Sequence, residues 1–306
     1  MKICPKCNAA IIGKNWHCMS CGWEPVFEDG FPLLAPDLAV GGVSYNEESH
    51  ANLARLESGN FWFLSRNRLL VYLLNRFYPY AGKFLEIGCG TGFVMSELSN
   101  KRPDITFYGG EAYISGLHYA RQRLPKAEFA QMDACRVPFL NEFDVVGSFD
   151  VIEHIDEDQY ALEQMNRALK PQGILMIAVP QHRWLWSRTD EKAGHKRRYT
   201  RQELQEKIEK AGFQVLFSSS FTSFLLPAMV ASRFATYRMP KKKTHKPQAG
   251  LRLPGIINSL FEKVCDCERV LIQWGLSMPF GGSLVVVAKR ADEGSPFQLK
   301  GQPNNF

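Results

Sequence analysis

Between Lys83 and Arg290, short apolar runs alternate with longer segments whose apolar positions recur at helical spacing. The runs "KFLEIGC", "ITFYGGE", "AEFAQMD", "FDVVGSFD" and "GILMIAVP" have the length and flanking turn residues of strands. Between them, "TGFVMSELSNK", "SGLHYARQRL" and "DQYALEQMNRAL" read as helices. "TRQELQEKIEKAGF" adds a helix with Thr200 as N-cap, Glu203 at the third helical position and Gly212 as its stop. "FQVLFSSSF" and "SLVVVAKR" supply two final strands. Strand–helix alternation of this kind predicts an α/β fold with a doubly wound parallel sheet, which binds ligands beyond the C-terminal ends of its strands.

The flanking segments break this rhythm. "NFWFLSRNRLLVYLLNRF" is helical, with Leu69, Tyr72, Leu73 and Arg76 at the expected spacing. A helical insertion or cap over 222–281 precedes the last strand. It holds "FLLPAMVASRFATYRM", a basic loop "PKKKTHKP", and a helix with Ile257, Leu260, Phe261, Val264 and Leu271 on one face. The resulting division is a small cysteine-bearing module over 1–30, a connector over 31–60, a main domain over 61–290 and a loose polar tail over 291–306.

Composition is that of an ordinary globular chain of 306 residues, 45% hydrophobic and 22% charged, enough for a sizeable core. The net charge of +6 is unevenly placed. Residues 183–201 carry +5 and residues 233–252 carry +7, which leaves the rest at −6. That distribution argues against a basic nucleic-acid face spread over the molecule. A metal-like motif from Cys4 leaves no room for a secretory leader, and no apolar run reaches eighteen residues, so a cytoplasmic setting is expected.

In "LEIGCGTGF", Gly88, Gly90 and Gly92 stand between a strand and a helix, with Glu86 just before them. A dinucleotide fingerprint needs its third glycine at 93, where this chain has Phe. Glu111 ends the second strand, "QMDA" puts Asp133 after the third, and the fourth runs into "FDVIEHI". This succession over roughly 83–290 resembles the class I S-adenosylmethionine-dependent methyltransferases. The resemblance implies a Rossmann-like seven-stranded sheet with its last strand antiparallel, and S-adenosylmethionine as cofactor. It implies a cofactor site of Glu86, Gly88, Gly90, Gly92, Glu111, Asp133 and Phe149, with Phe61, Trp62 and Phe63 as a lid.

Methyl transfer from a sulfonium is an in-line displacement, and a base is needed only where the acceptor must lose a proton. Candidate catalytic residues beyond strands four and five are His154, Asp190 and His195. His182, Arg197, Arg198 and Tyr199 are candidate substrate contacts, the two guanidinium groups suiting a phosphate or carboxylate. Trp184 and Trp186 are candidate pocket walls. Each has an ordinary alternative: His154 can shape the cofactor pocket, the basic turn can cap a helix, and the tryptophans can be core.

Cys4, Cys7, Cys18 and Cys21 form two CxxC pairs ten residues apart, the spacing of a structural zinc ribbon. Four thiolates close the tetrahedron, so the ion has no open position for catalysis. Lys2, Lys6 and Lys14 are offset by Glu24, Glu28 and Asp29, which is a poor RNA-guiding surface. The chain also lacks the Asn/Asp-Pro-Pro-aromatic motif of enzymes that methylate base amines.

The uncharacterised bacterial methyltransferases that the C-terminal pattern resembles have relatives acting on quinones, lipids and envelope glycans. The expected activity is therefore methyl transfer to a small or lipid- or glycan-linked substrate, at oxygen. Peripheral membrane contact through 222–252, at the inner membrane face, is compatible with its apolar and basic stretches. A ribbon-guided RNA methyltransferase and a non-catalytic cofactor-binding module are the alternatives.

Overall fold

The structure, a computed structural model, describes residues 1–13, 15–39, 47–238 and 253–292. The loop "PKKKTHKP" and the tail from 293 lie outside the described residues. In chain order the elements are β1 (Lys2–Ile3), β2 (Ala10–Ile11), β3 (Val26–Glu28), β4 (Phe31–Leu33), α1 (Pro36–Ala39), α2 (Glu47–Glu57) and α3 (Phe61–Phe77). The central part runs β5 (Gly82–Ile87), α4 (Phe93–Lys101), β6 (Ile105–Glu111), α5 (Ile114–Arg123), β7 (Glu128–Gln131), β8 (Phe143–Phe149), α6 (Asp158–Ala168) and β9 (Leu169–Pro180). α7 (Arg188–Ala193), α8 (Arg201–Lys210), β10 (Phe213–Phe221), α9 (Leu226–Arg238), α10 (Gly255–Gln273) and β11 (Ser283–Arg290) follow.

The main sheet has the order β10-β11-β9-β8-β5-β6-β7-β4-β3. β5 to β9 pair in parallel, and β11 lies antiparallel between β9 and β10, as expected of the last strand. Strand alternation divides the core into two layers. Phe84, Val145, Met176 and Val285 face α3 and α4, while Leu85, Val146, Leu175 and Val286 face α6 and α8. Thr200 caps α8 by accepting the Glu203 N–H, and Gly212 follows at φ 87°.

Among the described residues the sheet has nine strands where seven were expected. Residues 26–33, divided in sequence between the ribbon and the connector, form a hairpin whose second strand joins β7 in parallel at Leu33–Gln131. Its turn is Asp29-Gly30, with both residues at positive φ, a hairpin signal the sequence carries. α10 lies along α3, with Phe61 against Phe261 (5.4 Å) and Arg68 paired to Glu262 and Asp266. No helix among the described residues is long and apolar enough to cross a membrane.

The N-terminal module contains two matching turns. Asn8 N–H donates to Cys4 O at 2.9 Å and Gly22 N–H to Cys18 O at 2.8 Å, with Asn8 and Gly22 both at positive φ. The four sulfurs lie within 4.8 Å of one another, with Cys4–Cys21 at 3.7 Å and Cys7–Cys18 at 3.5 Å. Zn–S bonds of about 2.3 Å place tetrahedral sulfurs about 3.8 Å apart, so the four cysteines fit a zinc ion. His17, beside Cys18, pairs with Glu24. The module docks on the segment entering β8: Ile3 N–H donates to Pro138 O, and Trp16 meets Phe139 at 5.6 Å. This is the N-terminal end of β8, opposite the end where the glycine loop lies.

Candidate active site at the strand C-termini

β5 ends by delivering Glu86 into the interior, 2% exposed, with one carboxylate oxygen lacking any hydrogen-bond partner. Burial pushes its pKa up to about 8 despite the nearby Arg66 charge. The chain then turns through Gly88, Gly90 and Gly92, all at positive φ. A side chain at Gly88 would strike Val151 at 2.4 Å, so the loop packs directly on the end of β8. A Cβ at Gly90 would meet nothing within 4 Å. The loop's middle therefore borders open space, with room for a ligand to approach the backbone.

Glu111, at the end of β6, supports this turn. One oxygen accepts the Gly90 N–H at 2.8 Å and the other the Tyr113 N–H at 3.2 Å. Burial raises its pKa, opposed by those N–H groups. Asp133, just past β7, accepts the Cys135 N–H and the Arg136 Nε–H, both at 2.8 Å. It thus shapes the turn as well as standing at the expected strand end. Phe149 closes β8 as a buried side chain in the α3-facing layer.

Residues not singled out from sequence complete this end of the sheet. Arg66, buried in α3, donates to Asp150 beside β8, while its Nε has no partner. Trp62 and Phe63 cover its guanidinium at 4.6 and 5.5 Å, so the anticipated aromatic lid shields a cation. Phe61 turns instead toward α10. Glu57 at the end of α2 accepts from Thr91 Oγ1 (2.7 Å) and Arg123 Nη1 (2.8 Å), clamping α2 onto the glycine loop. A buried arginine inside an otherwise apolar helical face was the available signal for Arg66; the clamp joins residues too distant in sequence to be read as a set.

The candidate catalytic residues do meet. Glu153 and His154 lie in a 3₁₀ turn, Ile152–His154, after β8. The segment after α7 is tied to that turn by Lys196 N–H donating to Glu153 O at 2.7 Å. The imidazoles of His154 and His195 lie edge to face, 4.8 Å between centroids. Burial and the neighbouring His195 lower the His154 pKa to about 4. Asp190 is 1% exposed and bonds His195 Nδ1 at 3.0 Å, Arg198 Nε at 2.7 Å and Arg233 Nη1 at 3.2 Å. Burial works to raise its pKa, but the His195 and Arg198 contacts win and hold it well below the usual carboxylate range. Asp190 also completes the capping box of α7 through Ser187 N–H, a pattern visible in "SRTD".

The candidate substrate contacts divide. Tyr199 is fully buried, its hydroxyl on Asp158 at 2.7 Å and Ile152 O at 3.2 Å, and so braces the fold. Arg198 is buried between Asp190 and Gln181 O, and Arg197 pairs with Asp158 at 2.8 Å. Intramolecular carboxylates thus already engage both guanidinium groups of the anticipated anion fork. His182 remains at the site's edge, at φ 64°, stacked on Trp184 at 5.2 Å and beside Phe280 at 5.8 Å, with a buried unpartnered Nε2. Trp184 and Trp186 are largely exposed, so neither is core.

Residues 62–217 match the family model described as a methyltransferase domain. Over 165 residues the chain is 28% identical to a "Probable S-adenosylmethionine-dependent methyltransferase" of Mycolicibacterium smegmatis, covering 52% of this chain and 62% of that protein. Over 99 residues it is 33% identical to the malonyl-acyl-carrier-protein O-methyltransferase of Haemophilus ducreyi, covering 30% and 38%. The chain thus spans less than two thirds of the length of these relatives. Among solved structures, Haemonchus contortus phosphoethanolamine N-methyltransferase 2, in complex with S-adenosyl-L-methionine, shares the fold. Its TM-score is 0.55 at 18% identity, over 82% of this chain and 58% of that one.

Proposed function

The chain belongs to the methyltransferase-domain family, and from that premise we propose that it transfers a methyl group from S-adenosylmethionine to an oxygen of a small or lipid- or glycan-linked molecule. The observation that carries the cofactor reading is the set of unsatisfied buried groups around an open glycine turn. Glu86 and Arg66 each hold an unpartnered polar atom there, and Gly90 borders empty space. Buried polar atoms left unpaired are costly, so such a set is suited to a polar ligand that completes it.

When bound, the sulfonium supplies an activated methyl group. Arg66 is placed to take the amino-acid carboxylate, Glu111 the ribose hydroxyls and the Asp133 turn the adenine. Trp62 and Phe63 exclude water from that end. His195, aligned by Asp190, is suited to receive a proton from the acceptor, while His154, whose burial disfavours the charged form, packs edge to face against it. His182, between Trp184 and Phe280, offers an aromatic-edged contact for the acceptor's apolar part.

Oxygen as the acceptor atom is supported by the O-methyltransferase name of the H. ducreyi relative. The RNA alternative draws no support from the cysteine module, where Lys2, Lys6 and Lys14 are offset by Glu24, Glu28 and Asp29. Calorimetric titration with S-adenosylmethionine tests the cofactor reading. Wild type should bind, and Arg66→Ala and Glu111→Ala should each weaken binding about 10- to 100-fold, the worth of a lost charge-assisted hydrogen bond. Full affinity in both variants would overturn it.

A further inference from the structure

We infer that the rim around the strand C-termini is a docking surface for an anionic lipid bilayer. Pro180 at the end of β9 and Phe221 at the end of β10 both pair with Ser283 at the start of β11, so these three residues mark one end of the sheet. Trp184 follows Pro180, Phe224 follows Phe221 and Phe280 precedes Ser283, each within four residues. All three therefore lie just beyond the end that holds the candidate active site, and they are 61%, 50% and 60% exposed. Trp184 and Phe280 flank His182 there.

The first turns of α10 extend this rim. Asn258 accepts the Phe61 N–H at 2.9 Å and donates to Gly59 O at 3.0 Å, fixing the start of α10 against the start of α3. Arg66 ties that part of α3 to Asp150, just past β8. Ile256 and Leu260, four residues apart, share one face of α10 and are 87% and 57% exposed. Large apolar side chains gathered on one exposed rim, rather than scattered singly, mark an interaction surface.

Charge selects the occupant. Residues 239–252, outside the described residues, carry five lysines and arginines and no acid, and the chain returns at Leu253, three residues before Ile256. The acids behind Leu260, Glu262 and Asp266, are engaged by Arg68. Exposed aromatic and aliphatic side chains beside a basic segment match anionic headgroups lying over acyl chains. A second copy or a partner protein seated on this rim would cover the crevice, whereas a bilayer delivers acceptors to it. That the bilayer carries the methyl acceptor rests on the proposed methyl transfer; the docking surface rests on the exposed side chains and the charge alone.

The full chain is sedimented with sucrose-loaded vesicles in the absence of cofactor, and S-adenosylmethionine calorimetry is run on the same protein without vesicles. Wild type should bind equimolar phosphatidylcholine–phosphatidylglycerol vesicles at least about 10-fold more tightly than phosphatidylcholine alone, and added salt should erase the difference. The double variant Ile256→Gln with Leu260→Gln alters only exposed side chains. It should lose vesicle affinity about 10- to 100-fold and keep wild-type cofactor affinity. Brominated acyl chains should quench the tryptophan fluorescence of wild type more than that of Trp184→Phe. Sedimentation with neither vesicle, equal binding by the double variant, unchanged quenching in Trp184→Phe, or a dimer that the double variant dissociates would overturn the docking surface. Neither measurement needs the other's ligand, so failure of vesicle binding with cofactor binding intact refutes the docking surface alone.

Discussion

Glu86 shows at a single residue how this active-site end trades stability for ligand readiness. Its folded pKa, about 8, lies above the ordinary value of 4.5 because burial disfavours the charged form. The folded state therefore holds the proton more tightly than the unfolded state, and stability should fall as pH rises from 4.5 toward 8. Glu86→Gln removes that titration. Its melting temperature should exceed wild type at pH 8 without cofactor, and the difference should shrink toward pH 5; a difference independent of pH would contradict this assignment. Glu86, Glu111 and the glycines were legible in sequence because each sits within a few residues of a strand end. Arg66 was hidden because only the folded chain brings α3 across the end of β8.

At the level of elements, α2 is held to the glycine loop by one buried knot, Glu57–Thr91–Arg123. Arg123→Ala leaves the Glu57 carboxylate buried without its cation, and breaking such a pair costs about 3–5 kcal/mol. Chemical denaturation should register that loss, and limited proteolysis should cut α2 first; wild-type stability would show the knot to be incidental. The basic turn 195–199 teaches a related lesson. Its arginines looked available for substrate phosphate, yet Asp158 and Asp190, from other elements, engage them. Charge runs are visible in sequence, whereas their partners are set by tertiary packing. The hairpin at 26–33 escaped notice for a different reason: Pro32 and the acids Glu28 and Asp29 suggested a connector, though Asp29-Gly30 marked the turn.

Across the whole molecule, the cysteine module docks on the segment that enters β8, while its Pro5 and Lys6 share a surface pocket with Arg136, the partner of Asp133. The alternation of strands and helices revealed the doubly wound sheet, since period-2 and period-3.6 patterns survive in a single sequence. It could not reveal the module's docking on Pro138–Phe139, a contact between surfaces distant in the chain. If the module is a structural clasp, stripping its metal with a thiolate-competing chelator should melt residues 1–25 and leave S-adenosylmethionine affinity unchanged. Parallel loss of both would show that the clasp shapes the site. RNA binding, if any, should be weak and free of the steep salt dependence that phosphate contacts impose.

Incubating the full chain with tritiated-methyl S-adenosylmethionine and a fractionated cell extract tests the proposed activity most directly. Label should enter the small-molecule or lipid fraction with wild type and vanish with Glu111→Ala. Label recovered in RNA, or no transfer to any fraction by a protein that binds the cofactor, would contradict it.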